Sequence, residues 1–195
     1  MIQEIANGEP ISMFHANIRS VVKNFNKLFF TLEQITHKFH IIGLTETWLK
    51  NDPDSILCLP GYNIEFVNRQ NQKGGGVMIY IKDSLLYSLR HDLAIQSNYY
   101  ESLFIEIQHK NTKNIIIGLI YRPPGLNLAS FTDDFSEILE KIASEKKTCY
   151  LLGDYNVNLL NYETHVQCND FLNALYGYSF RPLIDKPTRI TSKFL

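Results

Sequence analysis

Five residues in the sequence combine types and spacing that could do chemistry: Asn17, Glu46, Tyr121, Asp154 and Asn156. Asp154 and Asn156 show the pattern best. The apolar run Cys149–Leu152 reads as a buried strand, and Gly153 closes it before the carboxylate and, two residues on, the carboxamide. A carboxylate at the mouth of a buried strand is costly unless water, a donor or a cation meets it. An Asp-x-Asn spacing puts both side chains on one face of extended chain, and a glycine there lets the backbone bend or another group approach closely. Three further apolar segments end the same way, in Asn17, Glu46 and Tyr121. Each of these residues alone has an ordinary explanation as a cap, a solvated charge or a half-buried phenol. Their recurrence at strand ends is the signal, because open sheets bind ligands at the carboxyl ends of their strands. On one rim they would supply two carboxylates, two carboxamides and a phenol. That hard oxygen set suits Mg²⁺. Zinc is disfavoured, since neither His-Glu-x-x-His nor Cys-x-x-Cys occurs.

The elements that must position them follow from hydrophobic periodicity. Ile11–Ala16 reads as a strand ending at Asn17. Val21, Val22, Phe25, Leu28, Phe29, Leu32, Ile35 and Phe39 then recur every three to four residues, predicting an amphipathic helix over Ser20–Lys38 with Ser20 as its N-cap. His40–Thr45 is continuously apolar and reads as a strand buried on both faces, ending at Glu46. Asn63–Asn68 and Gly76–Lys82 alternate. The run Gly74-Gly75-Gly76 between them lacks the Lys-Ser/Thr and helix of a phosphate-binding loop, so a hairpin turn is the better reading. Ser84–His91 fits a strand or a helical turn equally. Ser102–Gln108 alternates, and Asn114–Ile120 is continuously apolar up to Tyr121, where Pro123-Pro124 stops it. Ser130 and Asp133 suggest the cap of a second helix with the stripe Phe131, Phe135, Ile138, Leu139 and Ile142. A third, weaker helix spans Asn161–Tyr178, built on Val166, Phe171, Leu172 and Leu175. This order predicts an α/β (α+β) layered domain over residues 11–195, after a polar lead over residues 1–10.

Composition sets bounds. A chain of 195 residues supports one domain with a sizeable core. No apolar run is long enough to span a bilayer, and the polar N-terminus does not read as a signal peptide. Three scattered cysteines argue for a reducing compartment and against a disulfide framework. A formal net charge of −1 supplies no global field for a polyanion. The last stretch, Phe180–Leu195, is locally basic, with Arg181, Lys186, Arg189 and Lys193 against Asp185.

Six segments in order resemble the endonuclease/exonuclease/phosphatase superfamily, and within it the endonuclease domain of non-LTR (LINE-type) retrotransposons: His15-Ala16-Asn17-Ile18-Arg19-Ser20, Leu44-Thr45-Glu46-Thr47-Trp48-Leu49, Gly74-Gly75-Gly76-Val77, Tyr121-Arg122-Pro123-Pro124, Gly153-Asp154-Tyr155-Asn156 and Lys186-Pro187-Thr188-Arg189. The resemblance implies a four-layer α/β sandwich, two mostly antiparallel sheets face to face with helices outside, that cleaves phosphodiesters with Mg²⁺ or Mn²⁺. It implies that Glu46, with Asn17, binds the metal. Asp154 would orient or deprotonate the attacking water, Asn156 and Asn17 would hold the phosphate and the metal's waters, and Tyr121 would donate to the phosphate or leaving oxygen. Arg122, Thr188 and Arg189 are the expected substrate contacts, with DNA as partner. The loops around Arg69–Lys73, Arg122 and Arg181–Lys193 would meet its backbone. The family's late Asp and Ser-Asp-His motif are not found, since no His follows His165, so the last strands are expected to be missing and activity weakened or lost. The function expected is DNA nicking for target-primed reverse transcription, inside a cell and with access to the nucleus, with a reverse transcriptase domain downstream in an intact element. A phosphatase or phosphodiesterase acting on lipid headgroups or nucleotides is one alternative. An inactive remnant that binds DNA or a partner is the other.

Overall fold

The computed structural model describes residues 10–53, 55–69, 73–94, 100–110, 112–184, 186 and 188. Among the described residues, eight strands form two four-stranded sheets. The first contains β1 (Met13–Asn17), β2 (Ile41–Thr45), β3 (Tyr62–Val67) and β4 (Val77–Lys82), in the order β1-β2-β4-β3. The second contains β5 (Tyr87–Leu89), β6 (Glu101–Ile107), β7 (Ile115–Tyr121) and β8 (Thr148–Asp154), in sequence order. The α-helices among the described residues are α1 (Val21–Gln34), α2 (Leu128–Glu145) and α3 (Val166–Gly177).

Each sheet holds one parallel pair, β1 with β2 and β7 with β8, and its other pairings are antiparallel. Parallel neighbours need a crossover of a dozen or more residues. That is why the two longest helices, α1 and α2, stand between the members of these pairs. The consequence is functional. Parallel strands finish side by side, so Asn17 lies in register with Thr45, and Tyr121 with Asp154. The sheets stack with β1 against β8 and β2 against both β7 and β8, which brings all four carboxyl ends to one rim.

Three apolar layers hold this arrangement. Between the sheets lie Ile41, Ile79, Ile81, Ile105, Ile117 and Leu119. Under α1 are Val21, Leu28, Leu32, Ile42, Leu44 and Tyr80. The face covered by α2 and α3 is aromatic, with Phe104, Phe131, Phe135 and Phe171, and the Phe131 and Phe135 rings stack at 5.4 Å. Truncating either of these two rings would cost about 3–5 kcal/mol. Three cores between four layers are the expected sandwich. No helix among the described residues is long and apolar enough to cross a membrane.

Several boundaries differ from the sequence reading for identifiable reasons. α1 ends at Gln34, because Ile35 turns extended while its N–H still bonds the Leu32 carbonyl. Val22 falls on the solvent side of that helix. Ser20 makes no side-chain cap; at φ 83° its backbone N–H donates to the Glu46 carbonyl at 2.8 Å. The cap of α2 is Asn127, whose Oδ1 accepts from the N–H groups of Ala129 (2.9 Å) and Ser130 (3.3 Å), so Ser130 lies inside the first turn. α3 begins only at Val166, which is exposed, and Cys168 takes its place in the apolar stripe. Ser84–His91 resolves into strand β5 followed by a 3₁₀ turn at His91–Leu93. β3 and β4 pair antiparallel up to Val67 opposite Val77, as a hairpin requires.

Candidate active site

Glu46 leaves β2 in the left-handed region, φ 56°, and Trp48 repeats it at φ 57°. Such a conformation costs an ordinary residue roughly 1–2 kcal/mol, and backbone bonds on both sides hold it. Ser20 and Val21 donate to the carbonyls of Glu46 and Thr47 at 2.8 and 2.9 Å. Thr47 and Trp48 donate to the carbonyls of Gly76 and Gly75 at 3.2 and 2.9 Å. Thr47 is fully buried against Gly76, where a Cβ would strike its hydroxyl. The glycine run therefore serves as a close-packed floor for the Glu46 turn.

Asp154 is placed by a comparable device. Gly153 has φ 146°, and a Cβ there would drive into the Ile120 carbonyl of the neighbouring strand, so only glycine allows this approach. Beyond it, Asn156 sits at φ 48°. Its backbone N–H donates to Asp154 Oδ1 at 3.1 Å, and its Nδ2 donates to the Arg122 carbonyl at 2.8 Å. Arg122 answers with its guanidinium, giving hydrogen bonds to the carbonyls of Tyr155 (2.8 Å), Leu126 (2.9 Å) and Asn156 (3.0 Å). It is only 4 % exposed. Arg122 thus faces inward and braces the Asp154–Asn156 loop.

The two halves join through one amide. Asn17 Nδ2 donates to Glu46 Oε1 at 2.7 Å and to Asp154 Oδ2 at 2.8 Å. Trp48 Nε1 donates to the second Glu46 oxygen at 3.2 Å. Tyr121 is buried at the end of β7, and its phenol is pushed well above the ordinary range by burial first and by the Glu46 carboxylate second. His15, one layer deeper, donates to or accepts from Thr45 Oγ1 at 3.2 Å. Burial lowers its pKa to about 4, against the pull of Asp154. Asn17, Glu46, Tyr121, Asp154 and Asn156 are all brought together. Thr188 is exposed, and Arg189 lies outside the described residues.

The sequence reading missed the buried ion pair of Arg69 with Glu101, whose side chains are 8 % and 6 % exposed. Arg69 stands over the Tyr121 ring at 5.5 Å, while residues 70–72 of the loop expected to meet DNA lie outside the described residues. A signal for Glu101 was present: it opens an apolar strand, so the argument applied to Asp154 applies to it as well.

A divalent cation is the group this family implies. Among the described residues no lysine or arginine forms a salt bridge with Glu46 or Asp154, and no cluster of three His, Cys, Asp or Glu side chains forms. Two carboxylates and a carboxamide fit a hard cation that keeps most of its water, as Mg²⁺ does, and do not fit zinc.

The model of the endonuclease/exonuclease/phosphatase family matches residues 13–192. The chain belongs to that family. Its members are hydrolases of phosphodiester bonds. Among solved structures the chain is similar to the endonuclease domain of TRAS1, a telomere-specific non-LTR retrotransposon, with TM-score 0.63 and 14 % identity over 87 % of this chain and 71 % of that one. It is similar to the 3′-5′ exonuclease NExo of Neisseria meningitidis, with TM-score 0.62 and 14 % identity over 86 % and 71 %. It is also similar to the catalytic domain of Xenopus laevis APE2, with TM-score 0.59 and 16 % identity over 84 % and 67 %. At such identities these likenesses speak for the fold. No curated protein sequence matches.

Proposed function

We propose that the rim hydrolyses phosphodiesters of DNA as the nicking domain of a retrotransposon. The observation that carries this reading is the Asn17 amide bridging Glu46 and Asp154 across the two sheets. It holds two like charges at a fixed separation where no lysine or arginine among the described residues neutralises them. Like charges so placed invite a cation.

Glu46, oriented by Trp48, and Asn17 would hold the metal, which supplies positive charge against the phosphate oxygens when bound. Asp154 accepts hydrogen bonds on both oxygens, from Asn156 N–H and from Asn17. Fixed in this way, it is the base that takes a proton from the attacking water. Asn156 gives one N–H of its amide to the Arg122 carbonyl, which leaves the second N–H and Oδ1 for substrate or water. Tyr121, its phenol raised, keeps its proton at neutral pH and donates to the phosphate or the leaving oxygen. The Trp48 motif and Tyr121-Arg122-Pro123-Pro124, shared in type with retrotransposon endonucleases, favour DNA over lipid headgroups or nucleotides.

The test is nicking of supercoiled plasmid with Mg²⁺, with EDTA and with Asp154→Ala. Nicking that requires metal and vanishes in the variant supports the reading. No nicking by the wild type overturns it in favour of a binding remnant, and equal nicking by the variant overturns the assignment of the chemistry to this rim. Metal-dependent hydrolysis confined to phosphorylated small molecules would favour the phosphatase alternative.

A further inference from the structure

We propose that the buried Arg69–Glu101 pair is the positioning element that sets the distance between the two halves of the rim, and so governs how tightly the rim holds a divalent cation. The inference rests on the reading of the rim as a metal-dependent site.

Arg69 follows β3 in the first sheet, while Glu101 opens β6 in the second and lies in register with Tyr121. The pair is therefore a cross-sheet bond beside the rim. It is two-pronged: Arg69 Nε bonds Glu101 Oε1, and Nη2 bonds Oε2 at 2.9 Å. Glu101 Oε2 also accepts the Gly76 N–H at 3.2 Å. Gly75 and Gly76 in turn accept from Trp48 and Thr47, the residues beside Glu46. A chain of directional bonds thus runs from the second sheet through the glycine floor to the metal-holding carboxylate. On its other side the guanidinium covers the Tyr121 ring, and its charge opposes the rise of that phenol. Gly75 packs so closely on Arg69 that a Cβ would collide with the guanidinium.

A buried ion pair is a poor source of stability, since well-packed apolar residues often do as well. What a two-pronged guanidinium–carboxylate pair supplies is fixed geometry. Groups that hydrogen-bond a metal ligand typically alter its affinity about 10–100-fold when changed, and the pair, which acts on Glu46 through the glycine floor, belongs at the lower end of that range.

The test uses the full chain with Arg69→Met and Glu101→Gln combined, so that neither leaves a buried charge alone. Thermal unfolding checks the fold, and Mn²⁺ binding followed by electron paramagnetic resonance gives affinity without turnover. The expected result is a folded double variant whose Mn²⁺ affinity falls about tenfold and whose plasmid nicking loses kcat with little change in KM. A folded double variant with wild-type Mn²⁺ affinity overturns the proposal while leaving the rim's function intact. If the double variant does not fold, Arg69→Lys keeps the charge but not the fork. Several-fold weaker Mn²⁺ binding in it supports the proposal, and unchanged binding overturns it. A wild type that binds no Mn²⁺ overturns the reading of the rim, and this inference with it.

Discussion

Strand β6 connects two groups of acids that behave in opposite ways. At its far end, Glu106 meets Arg90 and Lys147, which also hold Glu145, while Arg90 reaches Asp92 as well. Asn114 Nδ2 donates a hydrogen bond to Glu106 Oε1 at 2.7 Å. Burial would push Glu106 up, yet the bonds from Lys147, Asn114 and Arg90 hold it below the usual carboxylate range. At the rim, Glu46 and Asp154 share a neutral amide, and no lysine or arginine among the described residues pairs with either. Acids compensated by two cations are architecture. Acids held together without one are arranged for something that arrives later.

The largest effect that could break this contrast is on turnover. Asp154→Ala is expected to lower plasmid nicking at least a hundredfold while leaving the melting temperature near wild type, because its removal relieves a like-charge pair. Loss of fold in this variant would show that the rim acids are structural too.

Glu106→Ala should do the reverse. Removing one partner of a buried charge network costs about 3–5 kcal/mol, read by denaturant unfolding. Nicking per folded molecule stays unchanged, since Glu106 lies at the opposite end of the strand from Glu101 and Tyr121.

Acid should separate the two regions by pH. His15 has a folded pKa of about 4 against 6.5 for the ordinary group. The unfolded chain therefore binds the proton more readily, and stability rises with pH between those values. Its contribution is complete above pH 6.5, falls as the pH drops through the window, and is absent below pH 4. The full change is about 3 kcal/mol. The acids at the far end, held below their ordinary 4.5, keep their contribution above that value and lose it in stronger acid. Stability measured from pH 7 to 4.5 should slope in the wild type and flatten in His15→Gln. An unchanged slope in that variant would place the titration elsewhere.

The smallest effect is stabilisation by metal. Mn²⁺ at a hundred times its dissociation constant should add about 2.7 kcal/mol. The increment should disappear in Glu46→Gln and persist in Glu106→Ala. Equal stabilisation of both variants would dissolve the distinction between the two regions.

Much of the fold was legible because periodicity reports burial. The stripe from Phe131 to Ile142, the doubly buried Ile41–Thr45 strand and the strand ends at Asn17, Glu46, Tyr121 and Asp154 all follow from local pattern. Helix starts were less legible. Ser20 and Ser130 have cap chemistry, but a backbone bond to Glu46 claims the first, and Asn127 caps three residues ahead of the second. Arg122 and Arg69 show the same limit more sharply. A sequence records that a residue is cationic, and says nothing about whether carbonyls, a buried carboxylate or solvent will surround it.

The sequence by itself determined the elements, their order and the residue types placed at the strand ends, because side-chain period and turn chemistry act within a few residues. The tertiary structure alone decided that four of those ends share a rim, that one Asn17 amide spans residues 29 and 137 positions away, and that two of the arginines brace the site from inside. Those outcomes depend on which strands run parallel and how two sheets stack, and such long-range pairing is set by the packing of the whole core.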